Sequence, residues 1–264
     1  MIPLSDPEVG RHATPYVTMA LILVNALVFL YEVVLGNPGQ TLFYHEWGLI
    51  PAKLTQGAAE FGAVCDGVVY RTASGRLACE GTVVLLEAPH HPWLTMFTSM
   101  FIHGGFMHIG GNMLYLWVFG DNMEARMGHA GFLAFYLACG VAAAWAQVAI
   151  NSDSTAPLIG ASGAIAGVLG AYIMFYPYHR INTLVVAYFI MVIRVPAIFL
   201  LGFWFILQNI LPGLGSLGST GGGVAYWAHV GGFVAGAAAS ALYLKATGQE
   251  VWPDLRRMPW RWSR

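Results

Sequence analysis

Windows of about twenty apolar residues recur along this chain, and a segment of that length and character reads as a helix crossing a bilayer. They cover residues 16–35, 101–119, 131–150, 158–176, 196–211 and 226–244. Only 9% of the 264 residues are charged while 57% are hydrophobic, too few charges to cover a water-facing surface in the usual way. The formal net charge of −1 leaves no basic footprint for nucleic acid. An all-α membrane protein is therefore expected, a bundle of six transmembrane helices with a long extracytoplasmic first loop.

The domain plan follows from those spans. Residues 1–15 form an N-terminal tail, 16–245 the membrane domain with its first loop at 37–92, and 246–264 a basic, Trp-rich tail. Asp6, Glu8 and Arg11 precede a first span too long for a signal-peptide core, so that span is read as retained. Residues 183–193 are apolar but short; they read as an interfacial or buried lead-in to the fifth span, with a seventh span as the competing reading. Lys245, Arg256, Arg257, Arg261 and Arg264 follow the last span, and Arg126 and Arg180 follow spans two and four. Positive residues favour the cytoplasmic side, which places both termini there. Trp252, Trp260 and Trp262 suit an interfacial anchor.

With that orientation, spans two, four and six begin at one depth near the outer leaflet. His103, His108 and Asn112 lie early in span two, Ser162 early in span four and His229 early in span six. Ionisable or reactive groups inside a membrane are costly and mark functional sites. Alone, a membrane serine is a packing residue or bonds a backbone carbonyl, and a lone buried histidine is usually structural. Their settings differ from that. Gly160 and Gly163 flank Ser162 where a helix begins and its first N–H groups lack intrahelical partners, the donors an oxyanion hole needs. Gly232 and Gly236 follow His229 by three and seven residues, and Gly163 and Gly167 repeat the device after Ser162. Such small-residue faces let helices approach closely, which would bring a general base against a weak hydroxyl nucleophile.

His108 and Asn112 are spaced i,i+4 and share a helix face, while Gly104-Gly105 suggests an irregular turn around His103. The pair could donate to a developing oxyanion; the rival reading is a metal site, for which no carboxylate or thiolate has fitting spacing. Asp121 and Glu124 sit at the opposite end of span two, and no acid is placed at the depth of Ser162. A Ser-His dyad rather than a triad is expected, with no metal and no cofactor.

These residues resemble the rhomboid family of intramembrane serine proteases over residues 93–244. His103-x4-His108-x3-Asn112, Glu124-Ala-Arg126-Met-Gly128, Gly160-Ala-Ser162-Gly163 and Ala228-His229-x2-Gly232-x3-Gly236 match its motifs. The resemblance implies a rhomboid-like bundle, Ser162 as nucleophile, His229 as base, and His108, Asn112 and the Ser162 N–H as oxyanion donors. It also implies cleavage of single-span or other transmembrane proteins near their outer ends, in contact with lipid; the short tails suit a multi-pass protein of a bacterial inner membrane, and no oligomeric state is implied. Two departures stand out. Many members carry a Tyr four residues after the Ser that stacks on the histidine, where this chain has Ala166; Tyr226 and Trp227 are the candidates for orienting His229. The Trp-Arg pair common before the second helix is absent, since Leu94 and Thr95 follow Trp93.

In the first loop, Cys65 and Cys79 flank a segment that reads as a β-hairpin turning at residues 72–75. If that loop is extracytoplasmic the two cysteines can pair, for about 3 kcal/mol in the chain-entropy model; otherwise they stay unpaired. Cys139 reads as inert core. Residues 211–224 are Gly- and Ser-rich and uncharged, a lid over the site or a plain connection. Three functions are open: an intramembrane protease, an inactive relative that binds or chaperones membrane proteins, and a small transporter. A transporter places its polar groups at the midplane, whereas these gather at one face.

Overall fold

The computed structural model describes residues 1–7, 14–56, 60–72, 77–87, 91–186, 188–216 and 224–249. Four of its helical segments are long and apolar enough to cross a membrane: α1 (Tyr16–Trp47), α5 (His129–Ile150), the run Ala197–Gly215 and α9 (Tyr226–Ala246). Two more complete the helical body, α4 (Phe106–Met127) and α6 (Ser162–Phe175). At about 1.5 Å per residue the 14-residue α6 is shorter than a bilayer core. It is also the central helix, packed on α4, α5, α9 and the start of the Ala197–Gly215 run, with every residue from Gly163 to Tyr172 buried. Protein, not lipid, surrounds it.

The outer helices show the inverted pattern that lipid dictates. In α1, Thr18, Asn25 and Glu32 recur every seven residues and are fully buried, while Leu23, Leu27, Leu30 and Val34 are more than half exposed. Polar groups turn inward because hydrocarbon offers them no hydrogen bonds. Gly36, with φ +57°, breaks α1 where the first apolar window ends, a conformation that favours glycine. The carboxylate of Glu124, 1% exposed, caps the start of α1 from α4. It accepts the backbone N–H groups of Val17 and Thr18 at 2.8 and 2.7 Å and lies 2.5 Å from His129 Nδ1. These are N–H groups the helix itself cannot satisfy.

Two small sheets flank the helices. β2 (Glu60–Arg71) and β3 (Leu77–Glu87) form an antiparallel hairpin with Val69 opposite Cys79 and Arg71 opposite Leu77. The expected hairpin is present and longer than its turn signals indicated. Residues 73–76 of its turn and the side chain of Cys65 lie outside the described residues; Cys79 is disulfide-bonded and Cys139 is a buried free thiol. The short helix α2 (Pro51–Gln56) ties this region to residues 152–154 through Ala52 N–H, Thr55 Oγ1 and Gln56 Nε2. The first loop is thus anchored without a Trp-Arg pair.

The apolar stretch 183–193 leads into the fifth span as a pair of strands and is not a seventh span. β4 (Arg180–Val186) and β5 (Ile190–Pro196) pair antiparallel, and β1 (Ile2–Ser5) adds to β4, so the start of the N-terminal tail is a strand. The segment is rich in the β-branched residues that strands accommodate. This sheet lies at the end of α6 remote from Ser162. The 217–223 part of the expected lid and residues 250–264 of the basic tail lie outside the described residues; Leu211–Gly215 is helical.

The closest helix contact is α6 on α9. A Cβ on Gly232 would run into the carbonyl oxygen of Gly163, and one on Gly236 into that of Gly167. The obstacles are backbone atoms that cannot swing aside. Gly236→Ala is expected to lower stability by about 1–3 kcal/mol through overpacking, read as an earlier unfolding midpoint in detergent. A wild-type midpoint would show that the helices do not meet this closely.

Candidate active site

The glycine contact sets the first turns of α6 and α9 side by side. Ser162 opens α6 and His229 lies in the first turn of α9, and His229 Nε2 is 2.7 Å from Ser162 Oγ. The start of α9 is held from α5, where Gln147 Oε1 accepts the Ala228 N–H at 3.2 Å. Ser162 and His229 line a cavity of about 670 Å³ together with His108, Asn112, Tyr115 and Trp204. Residues far apart in the chain meet here.

The groups around Ser162 present N–H donors. Gly104 N–H lies 3.4 Å from His108 Nδ1; that nitrogen accepts, which leaves the ring proton on Nε2. A Cβ on Gly160 would sit 2.7 Å from His108 Nε2 and 3.6 Å from Ser162 Oγ, so the protonated nitrogen faces the serine across the glycine. Asn112 is 8% exposed and lines the cavity, and its Nδ2 has no partner among the described residues. The Ser162 N–H, at the start of α6, has no intrahelical acceptor. Gly160 is needed twice: its φ of +122° is strained for any side chain, and His108 fills the space a Cβ would take.

His103 is fully buried, its ring 5.0 Å from that of His108 at 66°. Its backbone N–H donates to Glu32 Oε1 and Oε2 at 3.1 and 3.3 Å, and the Tyr44 hydroxyl lies between Glu32 Oε2 (3.4 Å) and His103 O (3.2 Å). Glu32 corrects the expectation that no acid shares this depth. It braces the turn under His108 and does not touch Ser162 or His229. Tyr226 and Trp227 do not orient His229 either. The side chain that meets it is Asn209: 1% exposed, it places Oδ1 2.6 Å from His229 Nδ1. The Trp204 ring lies 6.0 Å from the imidazole at 33°, beside the helix whose Ala166 is too small to reach it. Both residues come from the Ala197–Gly215 helix, where Gln208 and Asn209 are the two amides in an apolar run. That polarity was the signal available in the sequence. Among the described residues no three His, Cys, Asp or Glu side chains gather as a metal site.

Apolar helices around a half-buried serine–histidine contact define an integral membrane protein of hydrolase-like construction. A rhomboid domain model matches residues 90–246, more than half of the chain, and the chain belongs to the rhomboid family. It is 33% identical over 92 residues to the mitochondrial Rhomboid protein 1 of Saccharomyces cerevisiae, covering 33% of this chain and 27% of that protein. It is 39% identical over 79 residues to the rhomboid protease GluP of Bacillus subtilis, covering 30% and 15%. To Rhomboid-type serine protease 2 of Emericella nidulans it is 29% identical over 150 residues, covering 55% and 26%. The matches therefore span at most about a quarter of these relatives' lengths.

Gly160→Ala is expected to displace His108, cutting fluorophosphonate labelling of Ser162 by about 10²-fold and costing about 1–3 kcal/mol of stability. An alanine variant labelled at the wild-type rate would contradict this geometry.

Proposed function

We propose that this protein is an intramembrane serine endopeptidase that cleaves transmembrane proteins near the outer leaflet. The observation that carries the reading is the 2.7 Å contact between His229 Nε2 and Ser162 Oγ, inside a cavity also lined by Asn112, whose Nδ2 has no partner among the described residues. Ser162 Oγ attacks the scissile carbonyl carbon as its proton passes to His229 Nε2. The carbonyl π pair moves to oxygen, and the oxyanion is held by His108 Nε2–H, Asn112 Nδ2–H and the Ser162 N–H. Collapse expels the amine, which takes the proton from His229, and leaves an acyl-enzyme. Water, deprotonated by His229, then attacks the ester, and Ser162 leaves with its proton restored.

Six spans, both termini cytoplasmic and residence in a bacterial plasma membrane are the topology that goes with this reading. The sheet of β1, β4 and β5 then lies on the cytoplasmic side, and the β2–β3 hairpin with disulfide-bonded Cys79 outside. A disulfide at Cys79 fits an oxidising compartment and so supports that placement. The three rhomboid-named or protease-named relatives do not by themselves carry the activity, so the test is direct.

Purified protein reconstituted with a single-span substrate is expected to cleave it and to react with a fluorophosphonate; Ser162→Ala should abolish both. Cleavage that survives Ser162→Ala would sink the assignment. His108→Ala or Asn112→Ala is expected to lower kcat by about 10²–10³ if each supplies a full oxyanion bond, with folding checked by thermal shift. Unchanged turnover in both would remove them from the oxyanion hole.

A further inference from the structure

We propose that Asn209 is a positioning residue that fixes the tautomer and ring angle of His229, completing a Ser162–His229–Asn209 chain; this rests on the protease reading. Three observations combine. Asn209 is almost fully buried, on a π-helical turn (Ile206–Ile210) that interrupts the Ala197–Gly215 helix, and such turns cluster at functional sites. Its Nδ2 donates to the Trp204 carbonyl at 3.0 Å. Its Oδ1 is 2.6 Å from His229 Nδ1.

Hydrogen-bond chemistry then settles the proton. A carbonyl oxygen only accepts, so the amide end facing Trp204 O must be the NH2; the flipped amide would set two acceptors against each other. The end facing His229 is therefore an acceptor, and Nδ1 must carry the ring hydrogen. The lone pair is left on Nε2, the nitrogen 2.7 Å from Ser162 Oγ. That is the tautomer a general base needs, and setting it is the task of the third member in serine-hydrolase triads. An amide does so without a charge, which suits a membrane interior where a carboxylate is costly. The imidazole is thus gripped at an edge by Asn209 and faced by Trp204, whose backbone carbonyl in turn holds the amide.

Two variants and a readout independent of turnover test this. Asn209→Leu keeps the size but removes the acceptor. It is expected to lower kcat by about 10²-fold, the low end for a mis-set general base, with KM little changed. Asn209→Asp keeps an acceptor and adds charge that favours the imidazolium. It should retain more activity than the Leu variant and move the acidic limb of the kcat profile to higher pH. His108 and Tyr115, the other titratable side chains lining the cavity among the described residues, are present in both variants, so the difference reports on residue 209. The 15N imidazole shifts of His229, assigned with His229→Gln, should show an Nδ1–H tautomer in the parent protein and its loss in Asn209→Leu. Wild-type kcat in Asn209→Leu, or an unmoved acidic limb in Asn209→Asp, overturns the proposal, as does an Nε2–H tautomer in the parent protein. If Asn209→Leu fails to fold, the Asp limb and the parent tautomer still decide. Loss of this inference leaves Ser162-dependent cleavage intact, whereas failure of the protease reading removes that cleavage altogether.

Discussion

The contact between backbone and backbone where α6 meets α9 is the constraint on which the rest depends. Gly232 and Gly236 leave no room for a methyl against the carbonyls of Gly163 and Gly167. Apolar side chains cannot drive this association inside lipid, because the tails they would leave are equally apolar; close packing of backbones can. Once the two helices are that near, Ser162 and His229 have one relative position open to them. Everything added later acts on that pair: Gln147 steadies the first turn of α9, Gly160 admits His108, and Asn209 holds the far side of the imidazole.

The polar groups of this molecule are arranged by what each can satisfy. Carboxylates are used on backbone N–H groups at the two ends of α1 and α4: Glu124 caps the start of α1, and Glu32 accepts from His103. Neither reaches the serine. Around Ser162 the groups are two imidazoles, two amides and backbone N–H groups, with no carboxylate among them. Such an assembly can face developing negative charge with little reorganisation and avoids a permanent ion in a dry setting. Donors left open toward a cavity cost stability unless something accepts from them, which makes them a mark of function.

Much of this was legible in the chain. Spans 16–35, 131–150 and 226–244 correspond to helices within a few residues, since lipid imposes one strong pattern on such segments. The hairpin around residues 72–75 was also readable, from its turn residues and flanking apolar runs. Residues 183–193 were not, because an apolar run of eleven residues has no period that separates a strand from a helix. Pairing with β1, far away in sequence, decides it. Glu32 passed unnoticed for a related reason: one acid in a long apolar window does not disclose which face is buried. Asn209 was hidden by its helix, whose register depends on a π turn that no residue pattern announces.

The sequence by itself determined the class of environment, the order of the helices, and which serine, histidines and glycines were worth pairing, because those follow from local composition and from spacing along one helix. It also left a gap at Ala166, where a stacking partner was missing. Only the tertiary structure decided what fills it. Asn209 and Trp204 reach His229 through helix rotation and a widened turn, and those are set by how four neighbours pack around α6. A hydrogen bond between distant residues has a direction and a length of a few ångströms, and neither exists until the chain has folded.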